Sequence, residues 1–164
     1  MERSLLALGL LTSGSDVPAN QRDRLVFVCT GNICRSPYAS AIAQRAGINA
    51  VSCGIATTPG LPADPMAIDA ARRRGIDLAT HRTSAFAASA LRATDWVIPI
   101  EMRHALHVRG AARQAGCAVT ILSALHAGQF SVVSDPYGTN AAEFDRVYHL
   151  IDTLCARLFS ICRG

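Results

Sequence analysis

The sequence predicts one doubly wound α/β domain, and three observations carry that reading. Short apolar runs rich in β-branched residues alternate with helix-length stretches along the whole chain. Ser, Asp and Pro open the helical stretches, and Gly closes them. A length of 164 residues, 50% of them hydrophobic, suits one domain with a sizeable core and excludes a disordered chain.

Residues 1–22 read as an extension of a domain spanning 23–164. The apolar run Leu5 to Leu11 is too short to span a bilayer and carries Glu2 beside Arg3 ahead of it, so neither a membrane segment nor a secretion signal is expected. Gly14, Ser15, Asp16, Pro18 and Asn20 mark a flexible joint. A cytoplasmic protein is expected.

Arg24 to Cys29 is a continuous apolar run of the kind a parallel sheet buries on both faces. After a polar turn, a helix is predicted from Ser36 as N-cap and Pro37 at its first position, ending at Gly47. Residues 49–54 form the second strand candidate, and 55–62, with two prolines and a glycine, a loop. Asp64 caps a helix through residue 74, with Pro65 first and Gly75 at its end. Thr83 or Ser84 opens a further helix to about residue 93. Residues 95–100 are the third strand, where Pro99 signals an end or an unpaired position. Residues 101–114 are helical and closed by Gly116, and residues 118–122 are the fourth strand. A long polar loop carries Asp135-Pro136-Tyr137-Gly138, and a last helix, residues 141–162, shows an apolar stripe from Phe144 to Leu158.

The formal charge of +4 is modest, and the run Arg72-Arg73-Arg74 suits a solvated helix face, so no nucleic-acid partner is expected. Six cysteines do not make a disulfide scaffold here, and Cys53, Cys117, Cys155 and Cys162 read as small buried hydrophobes. His104 and His107 stand three apart without a carboxylate or cysteine at ligand spacing, and His81, His126 and His149 are scattered, so no metal or cofactor is expected.

Cys29 and Cys34 need another account. The turn Cys29-Thr30-Gly31-Asn32-Ile33-Cys34-Arg35-Ser36 lies where the first strand ends, the place ligands occupy in such sheets. Its backbone N–H groups and the helix N-terminus after it can surround a tetrahedral oxyanion. Arg35 can grip two of the anion's oxygens through its planar fork, and Gly31 and Asn32 tolerate left-handed backbone angles. The same donors, with the Ser36 hydroxyl, favour the ionised thiolate of Cys29, a nucleophile placed beneath phosphorus. A structural cysteine before an ordinary turn is the plain alternative. The coincidence of strand, glycine, Ser-Pro helix start and site position decides against it.

Val28-Cys29-Thr30-Gly31-Asn32-Ile33-Cys34-Arg35-Ser36-Pro37 resembles the signature of the low-molecular-weight protein tyrosine phosphatases. The resemblance runs from residue 24 to about 160 and includes Asp135-Pro136-Tyr137. It implies a four-stranded parallel sheet and a phosphocysteine intermediate on Cys29. It assigns Asp135 as the acid that protonates the leaving oxygen and then activates water, and Asn32 as a residue holding the loop. Ser52 is a candidate hydrogen-bond partner for Asn32. Cys34 would form a reversible disulfide with Cys29 under peroxide. A deep cradle with Tyr137 as one wall and Ile33 packing beneath the ring selects phosphotyrosine. Family members acting on phosphoarginine carry threonine where this chain has Ile33. The loop 55–61 lacks the bulky residue that members often place there, so the opposite wall is expected to be low or mobile. The last helix and the Asp-Pro-Tyr element look closer to bacterial members, some of which act on tyrosine kinases of exopolysaccharide export.

Two other readings compete. A thiol-dependent arsenate reductase shares the loop but needs two further cysteines after the third strand, where residues 100–105 have none. A non-catalytic phosphopeptide-binding module would need neither Cys29 nor Asp135.

Overall fold

The computed structural model describes residues 16–125 and 132–164. Four parallel strands, β1 (Arg24–Cys29), β2 (Ala50–Gly54), β3 (Asp95–Pro99) and β4 (Ala118–Val119), lie in the order β2-β1-β3-β4. The chain leaves β1 in one direction to β2 and later returns on the other side as β3. The carboxyl end of β1 is therefore the switch point where doubly wound sheets bind ligands.

Alternate residues of a strand face opposite sides, and the two faces of this sheet carry separate cores. Leu25, Phe27 and Cys29 turn toward α1 (Arg35–Arg45), α2 (Pro65–Arg73) and α4 (Ala141–Arg163), where Tyr38, Ala67, Phe144 and Tyr148 complete the larger core. Val26, Val28 and Val97 turn toward α3 (Met102–Ala115), against Ala105, Val108 and Ala112. Burying each large side chain contributes roughly 1.5–3 kcal/mol. Tyr38 and Tyr148 stack with ring centroids 3.8 Å apart, and the Tyr148 hydroxyl donates to the Cys34 carbonyl at 3.1 Å. The larger core is thus tied directly to the turn after β1.

The local signals act as the chemistry demands. Asp64 accepts from the N–H groups of Met66 and Ala67 and caps α2, with Pro65 first. Gly116 closes α3 at φ 77°, a conformation L-residues avoid. Pro99 ends β3 beyond Val97, the last residue there paired with β4, so its missing N–H faces no strand. From the extension, Val17 is buried and the Arg22 guanidinium donates to the carbonyls of Val17 and Ile161; residues 1–15 of it lie outside the described residues.

Three expectations are corrected. The helix expected over 83–93 does not form; only Ala88–Ala90 make a 3₁₀ turn. The reason is tertiary: Ser84 and Phe86 exchange backbone hydrogen bonds with Gly54 on the open edge of β2, a pairing helical backbone cannot make. The fourth strand stops at Val119, and Leu122–Leu125 coil into a 3₁₀ turn. The first helix begins at Arg35 with Cys34 at its N-cap, rather than at Ser36, because the Ser36 hydroxyl is engaged with Cys29.

Candidate active site

The turn 29–36 folds around its own side chains. Asn32 is buried at φ 56°, the only non-glycine residue with positive φ among those described. Its amide explains why that strain is held: Nδ2 donates to Ser36 Oγ and Ser52 Oγ, both at 2.9 Å, and Oδ1 accepts from the Ser84 N–H at 2.8 Å. The Asn32 carbonyl accepts from His81 Nε2 at 2.8 Å. Gly31, which could also take a left-handed conformation, does not adopt one.

Two donors converge on Cys29. The Asn32 N–H points at Sγ from 3.2 Å, and Ser36 Oγ lies 2.9 Å from it. Ser36 Oγ accepts from Asn32, so its own hydrogen goes to the sulfur at 2.9 Å in preference to the Cys53 carbonyl at 3.4 Å. The first turn of α1 has no side-chain cap, leaving its N–H groups directed at the cavity. Close approach from β2 completes the cradle. A Cβ on Gly54 would sit 2.6 Å from the Thr30 carbonyl oxygen, so only glycine lets the strand lie against the turn.

Arg35 is 1% exposed and makes the bridge between three segments. One terminal nitrogen donates to Glu101 and to the Val133 carbonyl, and the other donates to Asp135 Oδ2 at 2.6 Å. Its Nε is buried with no hydrogen-bond partner among the described residues, a donor that an oxyanion in the cradle would satisfy. Asp135 is exposed and accepts from the Tyr137 N–H, and Arg103 stands 3.8 Å from its carboxylate. Cys29, Thr30, Gly31, Ile33, Cys34, Arg35, Asp135 and Tyr137 together line one cavity of about 180 Å³.

Glu101 and His104 enter this site from α3, and the reading of the sequence missed both. Burial opposes ionisation of Glu101, but the Arg35 charge and bonds from Arg35 and Arg103 outweigh it and hold its carboxyl below the ordinary range. His104 is buried, and burial pulls it down to about 4 despite Glu101. Its Nδ1 accepts from the Glu101 N–H at 3.2 Å, which places the proton on Nε2, the nitrogen 3.0 Å from Thr30 Oγ1. The only signal for the pair was a capping box of Glu at the N-cap and His three residues on.

Cys34 is buried, and burial pushes its thiol well up. The loop 55–61 is held by hydrogen bonds: Thr83 Oγ1 donates to the Thr58 carbonyl at 2.6 Å and accepts from the Leu61 N–H at 2.9 Å. Cys117 precedes β4 at the opposite end of the sheet from Cys29, so it is out of reach as a relay thiol. Among the described residues no cluster of three His, Cys, Asp or Glu side chains could hold a metal, and no helix is long and apolar enough to cross a membrane.

A buried cysteine and a buried arginine lining one cavity at the switch point of a four-stranded parallel sheet is an arrangement that suits cysteine-dependent phosphatases. Residues 24–163 match the model of the low molecular weight phosphotyrosine protein phosphatases, and the chain belongs to that family. The low molecular weight protein-tyrosine-phosphatase Etp of Escherichia coli is 29% identical over 133 residues, covering 78% of this chain and 86% of that one. The tyrosine phosphatase Wzb from Escherichia coli, solved in complex with sulphate, superposes with TM-score 0.74 at 28% identity, covering 82% of this chain and 94% of that one. The YwlE arginine phosphatase from Geobacillus stearothermophilus superposes with TM-score 0.73 at 26% identity, covering 84% and 90%.

Proposed function

We propose that this tyrosine phosphatase works through a phosphocysteine on Cys29. The convergence of the Asn32 N–H and the Ser36 hydroxyl on Cys29, which lines one cavity with Arg35 and Asp135, is the observation that carries the reading. The phosphate dianion takes Arg35 Nε and the terminal nitrogen bonded to Asp135, which frees the carboxyl to face the leaving oxygen. The Cys29 thiolate attacks phosphorus, the P–O bond breaks, and Asp135 gives its proton to the departing oxygen. Asp135, now a carboxylate, takes a proton from water, whose oxygen attacks phosphorus. Phosphate leaves and the thiolate returns, with Ser36 donating to the sulfur in both directions.

The substrate is a phosphotyrosine. Ile33 and the exposed Tyr137 give the cavity apolar walls suited to a ring, whereas phosphoarginine calls for a polar contact at Ile33. The partner is a phosphotyrosine protein of the cytoplasm, such as a tyrosine kinase of polysaccharide export. Peroxide converts the Cys29 thiolate to a sulfenic acid, and the Cys34 thiol then condenses with it, releasing water and forming a reducible disulfide that protects the nucleophile.

Metal-free hydrolysis of p-nitrophenyl phosphate, and of matched phosphotyrosine and phosphoarginine peptides, tests the reading. Turnover is expected to vanish in Cys29→Ser and fall sharply in Asp135→Asn, with the tyrosine peptide preferred. Full activity in Cys29→Ser rejects the mechanism, and preference for the arginine peptide rejects the substrate.

A further inference from the structure

A second cavity, of about 280 Å³, opens behind the phosphate-binding turn, between α1, the outer edge of β2 and the segment 77–82. Ser40 forms part of its lining at 5% exposure, and its hydroxyl has no hydrogen-bond partner among the described residues. Ser52 lines it too; its Oγ accepts from Asn32, which leaves its hydrogen unused. β2 is an edge strand, and Ser52 is the residue between Ala50, whose carbonyl is taken by Gln44, and Gly54, taken by Ser84 and Phe86. The Ser52 backbone N–H and C=O therefore point out from the sheet edge, while its side chain stands on the face toward α1. His81 closes one wall. A carbonyl only accepts, so the ring nitrogen facing Asn32 carries the proton, and the neutral ring offers Nδ1 as an acceptor.

The lining thus sets small donors and acceptors beside the apolar Pro37, Ala41, Val51 and Leu78, without Phe, Tyr or Trp. The two charges at its rim, Asp77 and Arg82, cancel, and Arg82 is already committed to the carbonyls of Ala79 and His81. Such a lining matches a compact neutral molecule whose every polar group both donates and accepts. Two of its members, Ser52 and His81, hold Asn32, the strained residue of the phosphate-binding turn. We propose that this cavity binds a small neutral polyhydroxylated metabolite of monosaccharide or cyclitol class, and that its occupancy alters turnover through Asn32. The effect on turnover rests on the phosphatase reading; the binding does not.

The test is an amide chemical-shift titration of the full chain with D-glucose, D-galactose and myo-inositol, run with the active site saturated by orthovanadate. Saturable shifts at Ser40, Ser52 and His81 are expected for at least one of the three, carried into Asn32. Binding should weaken roughly fivefold in Ser40→Ala, one hydrogen bond's worth, and disappear in Ala41→Phe, which fills the cavity from a half-buried helix position. The same ligand should change kcat/KM for p-nitrophenyl phosphate about fivefold, the low end of measured couplings. The site is refuted by absence of saturable shifts well above ~1 mM, or by shifts that both variants leave intact. Binding without any change in kcat/KM of an active enzyme refutes the coupling through Asn32.

Discussion

Replacing Glu101 with Gln keeps a hydrogen-bond acceptor beside Arg35 and removes only the charge. The Arg35 side chain is 1% exposed and that of Glu101 23%, so the pair is little screened by solvent. Unit charges ~4 Å apart at an effective dielectric constant of ~20 attract by about 4 kcal/mol. Desolvation already borne by the carboxylate offsets roughly half of this. The variant should therefore lose about 2 kcal/mol of stability, a fall in Tm of about 4–8 °C for a chain of this size. The distinguishing result is in the ligand response. Saturating inorganic phosphate re-pairs the guanidinium, so it should raise the Tm of Glu101→Gln by more than that of the parent. The pH dependence has a defined sign. The Glu101 carboxyl lies below its unfolded value, so its contribution is present above that value and lost as pH falls through the folded one. Parent and variant should converge in acid. Thermal unfolding followed by circular dichroism, with and without phosphate, reads all three. Equal stability at pH 7 together with equal phosphate shifts would refute the claim that Glu101 holds a buried charge in place.

Three further outcomes follow from the same geometry. His104, held at about 4 by burial, ionises later than in the unfolded chain at ~6.5, so roughly 3 kcal/mol of stability should be lost as pH falls between those values; denaturant unfolding at pH 7 and 4.5 should show this in the parent and little of it in His104→Gln. Gly54→Ala places a methyl 2.6 Å from the Thr30 carbonyl oxygen and should destabilise by roughly 1–3 kcal/mol, with weakened vanadate inhibition. Asn32→Ala loses three side-chain hydrogen bonds and puts alanine at φ 56°, so kcat should fall at least about tenfold; unchanged kcat would show that the turn holds its shape without that side chain.

The sequence was legible where chemistry is local. The run Arg24–Cys29 is apolar because a central parallel strand is buried on both faces, and its pattern survives in any window of six residues. Asp64-Pro65 and Gly116 marked helix ends through bonds made within one turn. The contacts within the turn 29–36 were legible for the same reason, since Cys29, Asn32 and Ser36 meet one another within eight residues. What the sequence hid is long-range. Glu101 and His104 reach Arg35 and Thr30 across 66 and 74 residues, and neither residue type advertises such a partner. Gly54 looked like the end of a strand, whereas its absent side chain makes room for the Thr30 carbonyl. Residues 83–93 carry the apolar and small residues of a helix, yet the open edge of β2 offered their backbone better partners.

The central claim is that phosphorus passes through sulfur. Rapid acid quench of the Asp135→Asn variant with p-nitrophenyl phosphate tests it, because that leaving group departs without an acid while hydrolysis of the intermediate still needs the base. Peptide mass spectrometry should find a phosphoryl group on the peptide bearing Cys29, with none formed in Cys29→Ser. A phosphoryl group on another residue, or turnover in Asp135→Asn with Cys29 never modified, would contradict it.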